Sequence, residues 1–306
     1  MNITLLRSDE IYKKMMNSPE EKRDDIYRYE IAKPFEFKWS CINVPLKSPK
    51  KGGYDVVMAS NMLGYLPPSE VNETQDERSN LISNDVLWET CRKTIENCLE
   101  RFTKAGYELP VKDYMFSIML GNPKSPYLSL SDGYLGDGGI PGYILVSLVP
   151  NEYTISRIPV ALAHECNHNV HFQFEKWKND ITLGEMIVCE GLAENFATSM
   201  FGEDMVGPWV SKIDMDTLNN YIKPIIKDAL DVTGFDNISA YLWGDELAQL
   251  QGFFPQGMPY CAGYACGYHM IKYYLKKTGK SIVEATLTPA SDIVKEIEGF
   301  WNEESA

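Results

Sequence analysis

Nowhere does the sequence run apolar for the length needed to cross a bilayer. Its opening residues, MNITLLRSDEIYKKMM, carry charges early and lack the apolar stretch and small-residue cleavage site of a secretory signal, so a cytoplasmic protein is expected. Basic charge is scarce as well: 29 Lys and Arg stand against 43 Asp and Glu, a formal net charge of -14. Nucleic acid and anionic membrane surfaces would repel such a molecule, so neither is expected as a partner. The seven cysteines (Cys41, Cys91, Cys98, Cys166, Cys189, Cys261, Cys266) are odd in number and form no paired CxxC knuckles. That spacing argues against a disulfide frame or a cysteine zinc site and fits reduced thiols, with Cys166 and Cys189 read as small buried side chains. Internal repeats and low-complexity tracts are also absent, and histidine occurs only four times.

What is present is the profile of a globular protein, 44% hydrophobic and 24% charged over 306 residues. Charged helical patterns at Ser8 to Met16 and Pro19 to Ile31 precede an aromatic stretch, Phe35 to Trp39. The runs SPKKGG and PPSEVNETQDERSN then read as long surface loops. Residues 1–83 are therefore expected to form an accessory segment with surface loops, and residues 84–306 the catalytic domain. In the latter, a helix is predicted from Val86 to Ala105, with Trp88, Cys91, Ile95, Cys98, Leu99 and Phe102 at helical spacing. Strands follow at Tyr114 to Leu120 and Gly142 to Val149, separated by a glycine-rich loop containing DGYLGDGGIPG. The second strand reads equally as a cleft rim or a buried strand. Ser156 caps a predicted helix with Pro159 in its first turn, running to about Trp177. Thr182 and Glu185 form a capping box for the next helix, which runs to Met200, and a later helix from Gly263 to Lys277 stops at Gly279. The fold class is α+β: a small mixed sheet packed on a central helix, with a mainly helical C-terminal lobe.

Three of the four histidines, His164, His168 and His171, fall within HECNHNVH. On a helix, His164 and His168 lie about 40° apart on one face, which lets two imidazoles converge on one cation. Glu165, one residue on, reaches a water at that cation without being a ligand. A catalytic zinc site needs a third protein ligand and one open position. His171 lies roughly 10 Å along the axis from His164 and cannot share the ion, so it is expected to support a ligand from outside or to lie at the surface. The metzincin pattern is excluded, because the sixth residue after His168 is Phe174.

A carboxylate is then required, and CEGLAENFA offers Glu190 and Glu194, four apart at the edge of an apolar stripe of Met186, Cys189, Ala193, Phe196 and Ala197. Adjacent like charges on a largely buried helix are costly unless something positive sits against them. Glu190 is assigned as the ligand and Glu194 as the partner that orients a ligand imidazole. Glu185 is the rival ligand, already occupied by its capping box, and an exposed acidic helix edge is the plainer alternative.

HECNH on one helix, EGLAE some twenty residues later and a final GYACGYHMIKYYLKKTGKS together resemble the gluzincins, and more closely the YjaZ-type predicted zinc-dependent proteases. The likeness runs from about Val86 to the C-terminus. It implies a zincin-like fold, zinc as the cofactor, His164, His168 and Glu190 as its ligands, and a zinc-activated water deprotonated by Glu165 to cleave a peptide or protein substrate. It also sets the Gly263 to Lys277 helix opposite the metal, making Tyr264, Tyr268 and His269 candidates for steadying the oxyanion. Two alternatives remain beside a peptidase: a zinc hydrolase of non-peptide amides or esters, and a regulatory or chaperone-like zinc-binding protein.

Overall fold

A computed structural model describes residues 1–72 and 76–303. It divides into two compact units, Met1–Glu100 with Pro110–Glu165 and Arg101–Leu109 with Cys166–Ala306. Residues 73–75 of the expected PPSEVNETQDERSN loop lie outside the described residues. No helix is long and apolar enough to cross a membrane among the described residues.

The first unit is built on a four-stranded sheet of β1 (Asn2–Leu5), β2 (Asp113–Leu120), β3 (Tyr134–Ile140) and β4 (Tyr143–Leu148), in the order β1-β2-β4-β3. β1 and β4 run parallel to β2, and β3 is antiparallel to β4. The sheet is therefore mixed, and the protein is α+β as expected. β4, YILVSL, lies between two neighbours and is buried along nearly its whole length, which settles its role as an interior strand. The edge strand is β3, drawn from the glycine-rich stretch expected to be a loop. Glycine disfavours strands because it brings no side chain to pack, but here backbone pairing with β4 holds the stretch, with an irregularity in register between Asp137 and Ile140. Pro141 and Gly142 make the turn into β4, with Gly142 at φ +87°.

The N-terminal residues contribute more order than the sequence suggests. β1 is a strand that the local pattern does not reveal. Helix Ser8–Met16 forms as predicted, and the next helix, Glu20–Ile26, continues as a wider turn over Tyr27–Ala32. Inside the expected loop region, a short helix Val56–Met62 forms because Asp55 caps it, accepting from Val57 N–H at 3.0 Å, while Arg28 Nε donates to the other carboxylate oxygen at 3.0 Å. Lys38, almost wholly buried, pairs with Asp137 of β3 at 2.6 Å and ties this segment to the sheet edge.

The helix carrying the histidines spans Glu152–Phe174, starting one turn earlier and ending sooner than predicted. The reason for the early start is Asn151: its side chain accepts from Thr154 N–H at 2.9 Å, and the Thr154 hydroxyl accepts from Asn151 N–H at 3.0 Å. Ser156, the expected cap, bonds back to Tyr153 O within the helix instead, and Pro159 falls in the helix interior.

In the second unit the capping box is present as read: Thr182 Oγ1 accepts from Glu185 N–H at 3.1 Å and Glu185 Oε2 from Thr182 N–H at 2.8 Å. The glutamate helix it opens, Leu183–Phe201, is buried on all sides from Met186 to Thr198. That degree of burial depends on glycine. A Cβ on Gly191 would stand 2.1 Å from Gly267 O, and one on Gly267 the same distance from Ile187 O. The glutamate helix and the helix Ala262–Thr278 thus meet backbone to backbone, and Gly263, one turn away, makes a similar approach to Leu242 of the helix Phe235–Trp243. Gly267→Ala is expected to force the two helices apart and cost about 3 kcal/mol, the upper part of the range for overpacking. Gly139→Ala, where a methyl group meets nothing within 4 Å, is expected to be neutral within about 0.5 kcal/mol. Urea unfolding of both variants measures the difference, and equal stabilities would contradict the account of this contact.

Candidate metal centre

His164 and His168 occupy one face of the histidine helix because they are four residues apart, and that stretch of helix is buried without interruption from Val160 to His171. Glu190 comes from the glutamate helix. His164 is 4% exposed, His168 and Glu190 each 7%. One donor atom from each of the three lies within 4.8 Å of the others, and His168 Nε2 is 3.2 Å from Glu190 Oε2. Two corners of a tetrahedron around a zinc ion, each about 2.0 Å from the centre, are about 3.3 Å apart. Two nitrogens and one carboxylate oxygen, with no sulfur among them, are the donor types zinc takes in catalytic sites, so the residues present fit the ion.

The electrostatics point the same way. Burial alone would hold His168 neutral, yet Cys189 and Glu190 beside it outweigh that and hold its pKa well above the usual imidazole range. An acidic side chain thus faces each nitrogen of the His168 ring, Glu190 at Nε2 and Cys189 at Nδ1. Cys189 Sγ lies 3.2 Å from the ring's other nitrogen, Nδ1.

Glu165 is buried and is not one of the three converging donors. It lies beneath the edge strand at very close range: a Cβ on Gly136 would fall 2.1 Å from Glu165 Oε1, and one on Gly138 2.4 Å from its backbone carbonyl. Gly136 and Gly138 are two apart on β3 and share a face, so the glycines that disguise the strand in the sequence are what let it pass over this carboxylate.

Glu194, 1% exposed, accepts from Gly207 N–H through Oε1 at 2.6 Å and from Trp209 Nε1–H through Oε2 at 2.8 Å. Sequence reasoning misses both donors. They lie 13 and 15 residues further along the chain, at the start of the short helix Pro208–Ser211, and the one available signal is a lone Gly-Pro-Trp. Neither Glu190 nor Glu194 sits on an exposed helix edge.

The three oxyanion candidates separate. The Tyr264 hydroxyl accepts from Trp243 Nε1–H at 3.3 Å, and its ring meets Trp209 edge-on at 6.5 Å, so it borders the frame that holds Glu194. Tyr268 is buried, which raises its pKa, with the Thr198 hydroxyl alongside acting in the opposite sense. Thr198 is about 12 Å along the helix from Glu190. His269, beside Tyr268 at 5.2 Å between rings, is held by burial and by Lys272 and Lys223 at a pKa of about 4.

His171 stands apart from the metal group. Its Nδ1 donates to Thr286 O at 3.0 Å, while Asn167, one turn earlier, donates to the Thr286 hydroxyl at 2.7 Å. Burial lowers the His171 pKa and keeps the ring neutral for this bond. It is thus a buried anchor of the histidine helix and not a surface group. On the same helix Phe172 stacks on His168 at 6.3 Å and begins a series of ring contacts through Trp177 and Phe235 to Trp243.

No solved structure matches the chain. It is 37% identical over 297 residues to the uncharacterized protein YjfC of Bacillus subtilis (strain 168), an alignment covering 97% of this chain and 98% of that one. Residues 87–295 match the family model described as predicted Zn-dependent protease (DUF2268), a span that holds HECNH, EGLAE and the Gly-Tyr helix. With both converging donor helices inside the matched region, the chain belongs to this family of predicted Zn-dependent proteases.

Proposed function

We propose that the protein is a zinc-dependent peptidase with a zincin-like catalytic arrangement. The observation that carries this reading is the convergence of His164, His168 and Glu190, three buried side chains whose donor atoms lie within 4.8 Å of one another. Zinc, when bound by them, supplies Lewis acidity that polarises a carbonyl and makes a water acidic near neutral pH.

The chain's own residues divide the remaining work. Glu165, adjacent to a ligand and roofed by the backbone of β3, takes the proton of the attacking water and delivers it to the leaving amine. Its position under Gly136 and Gly138 restricts its movement, which favours a fixed geometry for that transfer. Glu194 braces the helix that carries Glu190 through Gly207 and Trp209. Tyr264 is the hydroxyl assigned to steady the developing oxyanion, because it borders Trp209 and its oxygen is already oriented by Trp243. A peptide is favoured over a small ester because the matching family is described as a predicted Zn-dependent protease.

Glu165→Gln is expected to lower the turnover of a peptide library by about 10²- to 10⁴-fold while zinc content stays that of the wild type. His168→Ala and Glu190→Ala are expected to lose the metal itself. Metal analysis of the purified variants beside the cleavage assay separates these effects; a Glu165→Gln protein with undiminished turnover, or a Glu190→Ala protein with full zinc, would refute the assignment concerned. Gly136→Ala, whose methyl group displaces the Glu165 carboxylate, is expected to lower kcat about 100-fold with zinc retained, and an unchanged kcat would show that this contact does not set the geometry of the base.

A further inference from the structure

Cys189 has no place in the mechanism above, yet it touches one of the proposed ligands. We propose that Cys189 is the positioning residue for His168: its sulfur accepts a hydrogen bond from Nδ1–H and so fixes the ring with Nε2 toward Glu190. This rests on His168 being a metal ligand.

An imidazole that binds a metal through one nitrogen carries a proton on the other, and that N–H needs an acceptor to set the tautomer and the plane of the ring. His168 Nε2 is 3.2 Å from Glu190 Oε2, and Nδ1 is 3.2 Å from Cys189 Sγ. The sulfur is thus on the side of the ring away from Glu190 and outside the converging donor group. Both side chains are buried, with Cys189 3% exposed, so water is a poor substitute for the sulfur.

Residues 189 and 190 are consecutive on the glutamate helix and project about 100° apart. The helix therefore straddles the ring, presenting a carboxylate to one edge and a thiol to the other, and one rigid element sets both contacts. The choice of sulfur also suits the charge already present. Carboxylates often hold metal-binding imidazoles, but one at position 189 would add a third buried anion to the helix that already buries Glu190 and Glu194. With Nε2 given to a metal and the ring's one proton on Nδ1, a protonated thiol would accept weakly and add no charge of its own.

Zinc affinity measured by competition with a chromophoric chelator tests the proposal, with thermal melts to verify folding. Cys189→Ala is expected to weaken zinc binding about 10- to 100-fold, and Cys189→Ser, whose hydroxyl offers an acceptor in the same place, to recover most of the loss. Should the alanine variant fail to fold, Cys189→Val fills the same space without an acceptor and carries the same expectation. The cobalt-substituted wild type is expected to show no sulfur-to-metal charge-transfer band. Wild-type affinity in Cys189→Ala, or serine binding no better than alanine, would overturn the positioning role, and a charge-transfer band would make the cysteine a ligand instead. A wild-type protein that binds no zinc would overturn the metal site itself, a different outcome from either.

Discussion

The second unit is organised around one costly feature: a helix buried without interruption from Met186 to Thr198 that nevertheless carries two carboxylates there, Glu190 and Glu194. Each ion taken out of water forfeits several kcal/mol of hydration, so each must be compensated locally. Glu194 is compensated within the protein, by a backbone N–H and an indole N–H on its two oxygens. Glu190 faces an imidazole nitrogen across 3.2 Å, with a second imidazole within reach. A divalent cation at that point would neutralise the carboxylate and use the lone pairs of both rings. The backbone contact at Gly191 and Gly267 is what allows the helix to be buried so completely in the first place.

The first unit solves a different problem, that of holding a carboxylate close to a polar backbone without letting it wander. The edge strand crosses Glu165 with two glycines facing it, because any side chain there would occupy the space of the carboxylate or of the helix backbone. Asp137, between those glycines, is held from the other direction by Lys38. The N-terminal residues thus supply both a strand of the sheet and a tie to its edge, and the likeness to YjfC extends through them as well as through the family region.

Legibility in the sequence followed the range of the interactions. Helices with a regular apolar stripe and local capping, such as Ser8–Met16 and Asp85–Lys104, were readable because their signals lie within a few residues of one another. The spacing of His164, His168, Glu190 and Glu194 was readable because helical periodicity converts sequence separation into direction. The edge strand was not, since Gly136, Gly138 and Gly139 oppose strand propensity and are explained only by Glu165, which arrives from elsewhere in the chain. β1 is four residues long and paired with residues more than a hundred positions away, so no local pattern could identify it. Thr286 is hidden for the same reason, Gly207 and Trp209 because a turn between two helices carries no periodic signal, and the start of the histidine helix because Thr154 fills the role usually taken by Glu or Gln in a capping box.

The coordination of the metal is the most direct measure of the account. X-ray absorption at the zinc edge of the loaded protein should show only nitrogen and oxygen neighbours at about 2.0–2.1 Å, with the outer-shell scattering of two imidazole rings. A sulfur neighbour at about 2.3 Å, or the signature of fewer than two imidazoles, would contradict it.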